Sequence, residues 1–493
     1  MVSIDEMAVY CKKKGFVFLN SEIYGGLSGF WDFGPYGVEM KNNIKFLLWK
    51  RFVQQREDVA GIDGAIITNP KVWQASGHVS SFSDFLLDCK KCKARFRGDL
   101  LVEEQAGIQT EGMKIDELQS VIEKHKIKCP QCGTELSSTP KKFNLMMKTN
   151  VGPIDDDASI SYLRPETAQV IFTNMRLVVE TGRMKLPFGI AQIGKAFRNE
   201  ISPRDFLFRS REFEQFELEF FVHPDHKKIC PNFREVEDME VNVLLADEKE
   251  MRKATFKQLV KDGKFGTEWH AYWLASFYRF FIDLGIKAKN LRLREHHHEE
   301  LAHYASACFD IEYCFPFGWK EIHGDADRGT FDLEQHMKVS GKDLTLFDEN
   351  SKKKITPYVA AEPSQGIERA MLAFLFDAYD NDEARGNVVL RLNPKISPVT
   401  VSIFPLVSNK EEVTSFARKV HSMLKNDFTC SYDQSGSVGR RYARADELGT
   451  PFCITIDFDS LKDNSVTIRD RDDTSQIRVK ITELKQKLNE MLG

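Results

Sequence analysis

FRNEISPRDFLFRSREFEQFELEF, residues 197–220, carries the densest chemistry in the chain. Four arginines (Arg198, Arg204, Arg209 and Arg211) sit among six acids and six phenylalanines. From Arg211 onward, charged and apolar residues alternate with period two, which predicts a half-buried strand. Glu212, Glu214, Phe216, Leu218 and Phe220 would share one face, and Phe213, Gln215, Glu217, Glu219 and Phe221 the other. The plainest interpretation is an edge strand with solvated charges. Acids and arginines on both sides of one turn argue for a site instead, because the planar guanidinium fork pairs two oxygens of a phosphate or carboxylate at once.

Toward the N-terminus, glycine-rich turns (YGGLSGFWDFGPYG, 24–37) lead through Pro35 into a predicted helix with Met40, Ile44, Leu47, Leu48 and Phe52 on one face. After Gly61, AIIT reads as a strand ended by Asn69-Pro70. Residues 89–145 change in composition and read as an insertion, with two CxxC pairs around a charged helical stretch at Asp116–His125. The chain from Arg164 to Phe221 reads as strand-rich. Residues 224–290 read as a helical insertion, from the apolar spacing of Val241, Leu244 and Leu245 and then Leu274, Phe277, Phe280 and Phe281. Residues 291–392 return to strands and include an amphipathic helix, Ile367–Tyr379. A linker is expected at 393–398. Beyond it, VTVSIFPLV, FTCSYD, PFCITID and SVTIRD read as strands, and 410–425 and 476–492 as helices, giving a small α/β domain at 393–493. The expected class is α+β, with core segments 1–88, 146–223 and 291–392 interrupted by the two insertions.

The 493 residues include 69 Lys+Arg and 73 Asp+Glu, a net charge of −4, so a polybasic nucleic-acid binder is excluded and RNA contact needs local patches. No run of 18 apolar residues suggests a membrane helix, and the N-terminus has no apolar core of a secretory signal. Ten cysteines are too few for a disulfide scaffold of this length, and four fall in CxxC pairs. A reduced, cytoplasmic protein without membrane partners is expected.

The run FRNEISPR…LFRSREFEQFELEF resembles motif 2 of the class II aminoacyl-tRNA synthetases, in the form found in glycyl-tRNA synthetases. Residues 35–70 are similar to motif 1, the dimer element of that class. Residues 362–379, EPSQGIERAMLAFLFDAY, resemble motif 3, and 432–458, YDQSGSVGRRYARADELGTPFCITIDF, resemble the anticodon-binding domain of class IIa enzymes. The resemblance covers nearly the whole chain. It implies an antiparallel catalytic sheet flanked by helices, a homodimer, and ligation of glycine to tRNA(Gly) with ATP and Mg²⁺.

By resemblance, Arg198 clamps the α-phosphate and Glu200, after Asn199, meets the adenine amino group. Phe208, Arg209, Ser210, Arg211, Glu212 and Phe213 form the ATP loop, with Arg209 on phosphate and Phe213 on the purine. Arg369 is the motif 3 arginine for the γ-phosphate and the other purine face, with Gly366 and Ile322 beside the nucleotide. Glu321 and Glu362 are placed for Mg²⁺, since carboxylates suit that hard cation. The resemblance places glycine among Arg97, Glu166, Phe213, Glu214, Gln215, Phe216, Glu217, Glu362, Pro363, Ser364, Gln365 and Gly366. Glu166, Glu217 and Ser364 would hold its ammonium and Arg97 its carboxylate. Carboxylates gathered at one place require a counter-cation, which an α-ammonium supplies.

Cys89-x-x-Cys92 and Cys129-x-x-Cys132 have the spacing of two zinc knuckles, and four thiolates would close the shell of a structural Zn²⁺. His296, His297, His298 and His303 tempt a metal interpretation, but consecutive strand residues face opposite ways, and a packing or solvated role is expected. Lys12–Lys14 read as a solvated helix end. Arg440, Arg441 and Arg444, near Gly436 and Gly439, suggest a basic flexible loop for tRNA. Two alternatives are a catalytically silent accessory protein of this fold and an adenylating enzyme that never uses tRNA. Arg198, Arg209 and Arg369 weigh against the first and the anticodon-like domain against the second. Attack of a second ATP on the adenylate, giving diadenosine tetraphosphate, is a side reaction that these residues permit.

Overall fold

A computed structural model describes residues 2–108, 110, 113–136, 139–154, 156, 159–298, 301 and 305–493. Its centre is a nine-stranded sheet: β1 (Val59–Gly61), β2 (Phe188–Phe197), β3 (Glu212–Val222), β4 (Glu240–Leu244), β5 (Arg252–Thr255), β6 (Leu291–Glu295), β7 (Ala307–Phe315), β8 (Gly318–Asp327) and β9 (Tyr358–Gly366). The order is β5-β4-β6-β7-β8-β9-β3-β2-β1. Every pairing from β6 to β2 is antiparallel; the parallel pairs, β4–β6 and β2–β1, lie toward the edges. The motif 2 strand β3 is therefore central, not an edge.

Helices α1 (Pro35–Trp49), α2 (Ala168–Gly182), α3 (Glu268–Asp283), α4 (Phe331–Ser340) and α5 (Ile367–Ala378) cover the sheet. Gly34 and Pro35 open α1, and the i, i+4 row Met40, Ile44, Leu48 and Phe52 is buried as the stripe predicts. Phe52 stacks on Phe277 of α3 at 4.0 Å and leans on Phe216 of β3, so motif 1, motif 2 and α3 share one aromatic core. On the other sheet face, α2 and α4 bury Ile171, Phe172, Met175 and Leu333 against Phe188 and Phe221.

Two local expectations change. The 164–221 stretch contains α2, whose Ala168, Ile171, Phe172 and Met175 follow a helical period. Val241 and Leu244 are not helical: β4 buries Val241 and Val243 in alternation and pairs with β5 and β6, so this segment widens the sheet. Three residues of apolar spacing fit either period, and pairing with β6 decided it. Leu274, Phe277, Phe280 and Phe281 do lie on a helix, α3.

The C-terminal unit has a mixed sheet ordered β11-β10-β12-β13-β14, from β10 (Val401–Pro405), β11 (Cys430–Tyr432), β12 (Phe452–Ile456), β13 (Ser465–Asp470) and β14 (Gln476–Lys480). Helices α6 (Glu411–Leu424) and α8 (Ile481–Leu492) pack on it. The stretch 476–492 is thus a strand followed by a helix. The expected linker is anchored: Ile396 is buried in the core of the nine-stranded unit, Asn43 of α1 donates to the Ser397 carbonyl at 2.9 Å, and Ser397 Oγ donates to the Gly449 carbonyl at 2.7 Å.

Candidate active site

Strand register builds the floor of the site. Asp310 lies opposite Gly324, Gly324 opposite Ser364, Ser364 opposite Glu217 and Glu217 opposite Gln192. Residues directly opposite in antiparallel pairs share a face, so this row crosses five strands on one side. Glu217 Oε1 accepts from Ser364 Oγ at 3.1 Å, and its Oε2 accepts from the Thr167 backbone N–H at 2.6 Å and hydroxyl at 2.5 Å. Glu166, beside Thr167, accepts from Gln169 Nε2 at 3.1 Å and lies 3.3 Å from His78 Nε2.

Behind this floor, the fully buried Arg328 donates to Asp332 at 2.8 and 2.9 Å and pairs with Glu362. Burial opposes ionisation of Glu166, yet His78 and Arg328 hold its carboxyl well below the usual carboxylate range. Burial and the charge of Glu166 push Glu217 up. Burial pushes Glu362 up to about 8, against the pull of Arg328 and with help from Glu217 and Glu166. One guanidinium thus faces several carboxyls, and the cavity at Ser364 favours an added cation.

A second cavity adjoins the first and shares Arg198, Gln215, Glu321 and Ser364 with it. Arg198, just past the end of β2, lies 5.3 Å from the Phe213 ring and 5.5 Å from the Phe82 ring, and its Nε donates to the Pro165 carbonyl at 3.1 Å. Arg369, in the first turn of α5, lies 4.6 Å over Phe208 and pairs with Glu321 at 2.8 Å. Burial would raise the Glu321 carboxyl, but Arg369 and Arg198 lower it. Arg209 pairs with Glu200 at 3.3 Å; with Ser210 and Gly366 they line the same cavity. Three guanidinium groups and two aromatic rings around a carboxylate-edged groove can hold a purine triphosphate.

The remaining expected site residues lie elsewhere. Phe216, Gln365 and Ile322 turn to the opposite sheet face, where Phe216 packs on Phe277 and Gln365 Nε2 donates to the Ile322 carbonyl at 2.8 Å. Pleating decides this, because each neighbours a residue that faces the cavity. Glu214 also turns away and pairs with Lys41 at 2.6 Å and Lys45 at 3.3 Å. Arg211 braces the loop, donating to the Glu200 carbonyl at 2.8 and 3.0 Å and the Ser28 carbonyl at 2.9 Å. Glu212 pairs with Lys195 at 2.8 Å. Asn199 holds the Leu145 carbonyl through its backbone at 2.8 Å. Pro363 is buried in β9 opposite Asp325. Arg97 pairs with Asp99 and, at 3.1 Å, Asp84, and the Glu200 charge acts on it, which puts it near the second cavity rather than the Ser364 floor. His78, Thr167, Gln169 and Arg328 were not singled out from sequence; only Thr167 and Gln169 had a signal, beside Glu166 in RPETAQ.

The four cysteines Cys89, Cys92, Cys129 and Cys132 converge with all sulfurs within 4.8 Å of one another. The Cys89–Cys132 and Cys92–Cys129 Sγ separations are 3.6 Å, near the ~3.8 Å edge of a tetrahedron with Zn–S of about 2.3 Å. In each knuckle the residue after the second cysteine, Lys93 or Gly133, has positive φ and donates its backbone N–H to the first cysteine's carbonyl at 2.9 Å. The donor set and spacing fit Zn²⁺. Arg440, Arg441 and Arg444 are not on a flexible loop: Val438–Glu447 is a helix, α7, capped by Ser437. Arg441 is buried against the Pro405 carbonyl; Arg440 and Arg444 are both exposed, Arg444 paired with Asp433. The cap Ser437 outweighed the two glycines. His303 lies outside the described residues.

The class II core domain of tRNA synthetases (G, H, P, S and T) matches residues 149–377, and an anticodon-binding domain matches 400–491. The glycine–tRNA ligase of Caldanaerobacter subterraneus subsp. tengcongensis is 48% identical, over 100% of this chain and 99% of its own length. The chain belongs to the glycine–tRNA ligase family. Another member, from Clostridium acetobutylicum, is 46% identical over 99% of both chains. Prolyl-tRNA synthetase from Cryptosporidium parvum, solved with L-proline and AMP, aligns at a TM-score of 0.58 with 15% identity, covering 99% of this chain and 75% of that one; this likeness shows the fold. Membership of this ligase family accounts for two adjoining cavities on one sheet.

Proposed function

We propose that the chain activates glycine with ATP, giving glycyl-adenylate and pyrophosphate, and transfers the glycyl group to the 3′ end of tRNA(Gly). The adjacency of the cationic groove to the Glu166–Glu217–Ser364 floor carries this reading. The glycine carboxylate attacks the α-phosphorus and pyrophosphate leaves, so no nucleophilic side chain is required. Arg198, at the junction, offsets charge developing on the phosphate, and Arg369 holds the far phosphates. Phe213 and Arg369 flank the purine, and Glu200 accepts from its amino group. Glu166, Glu217 and Ser364 bind the ammonium. A larger amino acid meets this polar floor, and glycine has no smaller competitor, so rejection by clash suffices.

Glu321, at the cavity mouth, fits Mg²⁺, which neutralises triphosphate charge; Glu362, committed to Arg328, fits it poorly. Cys89, Cys92, Cys129 and Cys132 are assigned to a structural Zn²⁺. Elemental analysis of protein purified without chelator should find that ion, and its absence would sink the assignment. The C-terminal domain is assigned to the tRNA, and the compartment to the cytoplasm. No described helix is long and apolar enough to cross a membrane. A homodimer through the motif 1 region is expected; Phe46 and Val38 of α1, 57% and 39% exposed, offer apolar surface there, and sedimentation at micromolar protein tests it. A silent accessory protein is disfavoured, since Arg198, Arg209 and Arg369 all line the groove.

The deciding experiment is amino-acid-dependent ATP–pyrophosphate exchange with glycine, alanine and serine. Exchange with glycine alone is expected. Exchange with alanine or serine would overturn the pocket assignment, and exchange with none would overturn the activity.

A further inference from the structure

We propose that His296, Cys308 and Asp310 form a second divalent-cation site, suited to a borderline-soft ion such as Zn²⁺, in the wall of the amino-acid cavity. The strands bring these residues together. Cys308 and Asp310 are two apart on β7 and share a face. The His296 backbone N–H donates to the Cys308 carbonyl at 3.1 Å, which sets the imidazole across from the thiol. A nitrogen, a sulfur and an oxygen of the three lie within 4.8 Å of one another, and His296 Nε2 is 2.7 Å from Asp310 Oδ2. Asp310 is 6% exposed, so the carboxylate is built in rather than displayed.

Opposite these ligands stand Gly324 and Ala326 of β8, which leave the wall hollow. The side-chain position of Gly324 lies 3.5 Å from Asp310 Oδ1 and 3.7 Å from Glu321 Oε1, so a further carboxylate borders the same space. Ligand distances of about 2.0–2.3 Å would require the three donor atoms to stand roughly 3.3–3.6 Å apart, a small adjustment from the observed cluster. Imidazole and thiolate are poor ligands for Mg²⁺ and good ones for Zn²⁺. Three protein ligands leave one coordination position open to the cavity. Arg294, 4.0 Å from Asp310 Oδ2, opposes a cation and makes this site weaker than the four-cysteine cluster.

A bound ion would sit in the cavity that also contains Glu166, Glu217 and Ser364, and would exclude the ammonium. Inhibition of glycine activation by Zn²⁺ at saturating Mg²⁺ follows. That consequence rests on the proposed activity, whereas binding does not. The test is equilibrium dialysis of the full chain against Zn²⁺ in excess Mg²⁺, with elemental analysis, for wild type, Cys308→Ala and His296→Ala. Two ions per chain are expected in wild type and one in each variant. A single ion in wild type, or two in both variants, would overturn the site. In parallel, Zn²⁺ should inhibit exchange in wild type, with the half-inhibitory concentration raised at least roughly tenfold in each variant, relative to its own zinc-free rate; tenfold corresponds to about 1.4 kcal/mol. No glycine exchange without zinc would refute the activity and leave the stoichiometry to judge the site.

Discussion

Glu217→Gln isolates the charge on which the proposed ammonium recognition depends. The amide keeps the shape. Its oxygen can still accept from both Thr167 donors, and its nitrogen can donate to Ser364 Oγ, which rotates to accept. The negative charge alone is lost. A hydrogen bond to a charged group contributes about 1.5–3 kcal/mol, and each 1.4 kcal/mol is tenfold, so the KM for glycine should rise roughly 10- to 150-fold. The ATP KM should hold, because Glu217 faces the amino-acid cavity and does not line the nucleotide groove. Stability should move the other way. Burial and Glu166 disfavour the ionised Glu217, so the apo variant at pH 8 should melt no earlier than wild type. Pyrophosphate exchange at varied glycine, with thermal melting in and out of glycine, reads both effects. An unchanged glycine KM, or an equal rise in the ATP KM, would refute the reasoning.

Arg369→Ala removes the guanidinium over Phe208 and the pair with Glu321, and should lower adenylate formation by roughly 10²–10³-fold while tRNA binding persists; equal loss of both, by exchange and filter binding, would count against its phosphate role. Lys41 Nζ lies 2.5 Å from Glu368 and 2.6 Å from Glu214, tying α1 to α5 and β3. Lys41→Met leaves the buried Glu368 without its cation, while Glu214 keeps Lys45, and should cost about 3–5 kcal/mol in denaturant unfolding; adding Glu368→Gln should recover part of it. Burial pushes Glu362 up to about 8 against the pull of Arg328, so its ionised fraction grows as pH rises toward that value. Its stabilising contribution is full below the ordinary carboxylate pKa and is lost as pH rises toward about 8, where the ionised form instead favours an ammonium. The glycine KM should therefore fall between pH 6 and 8 and level above; a rise over that interval would exclude a role for this carboxyl in ammonium binding.

Sequence by itself determined what depends on near neighbours. Period two marked β3, the i, i+4 row from Met40 to Phe52 marked α1, and the paired CxxC spacing marked the thiol cluster. Arg198 and Arg209 were legible because they sit in one dense local run, whereas Arg369 was legible only through the resemblance of 362–379 to motif 3. What only the tertiary structure decided was pairing between distant strands. Alternation separates Glu214 from Glu217, but it cannot say which face meets Ser364 and which meets Lys41. Register across five strands, set by the burial of Phe216 and Phe220 against α3, makes that choice. Pairing with β6 likewise turned Val241 and Val243 into strand residues, and folding gathered Cys308 and Asp310 of β7 with His296, the residue after β6. A period is a property of a few consecutive residues, whereas a site on this sheet is a row perpendicular to the chain, and only folding lays that row down.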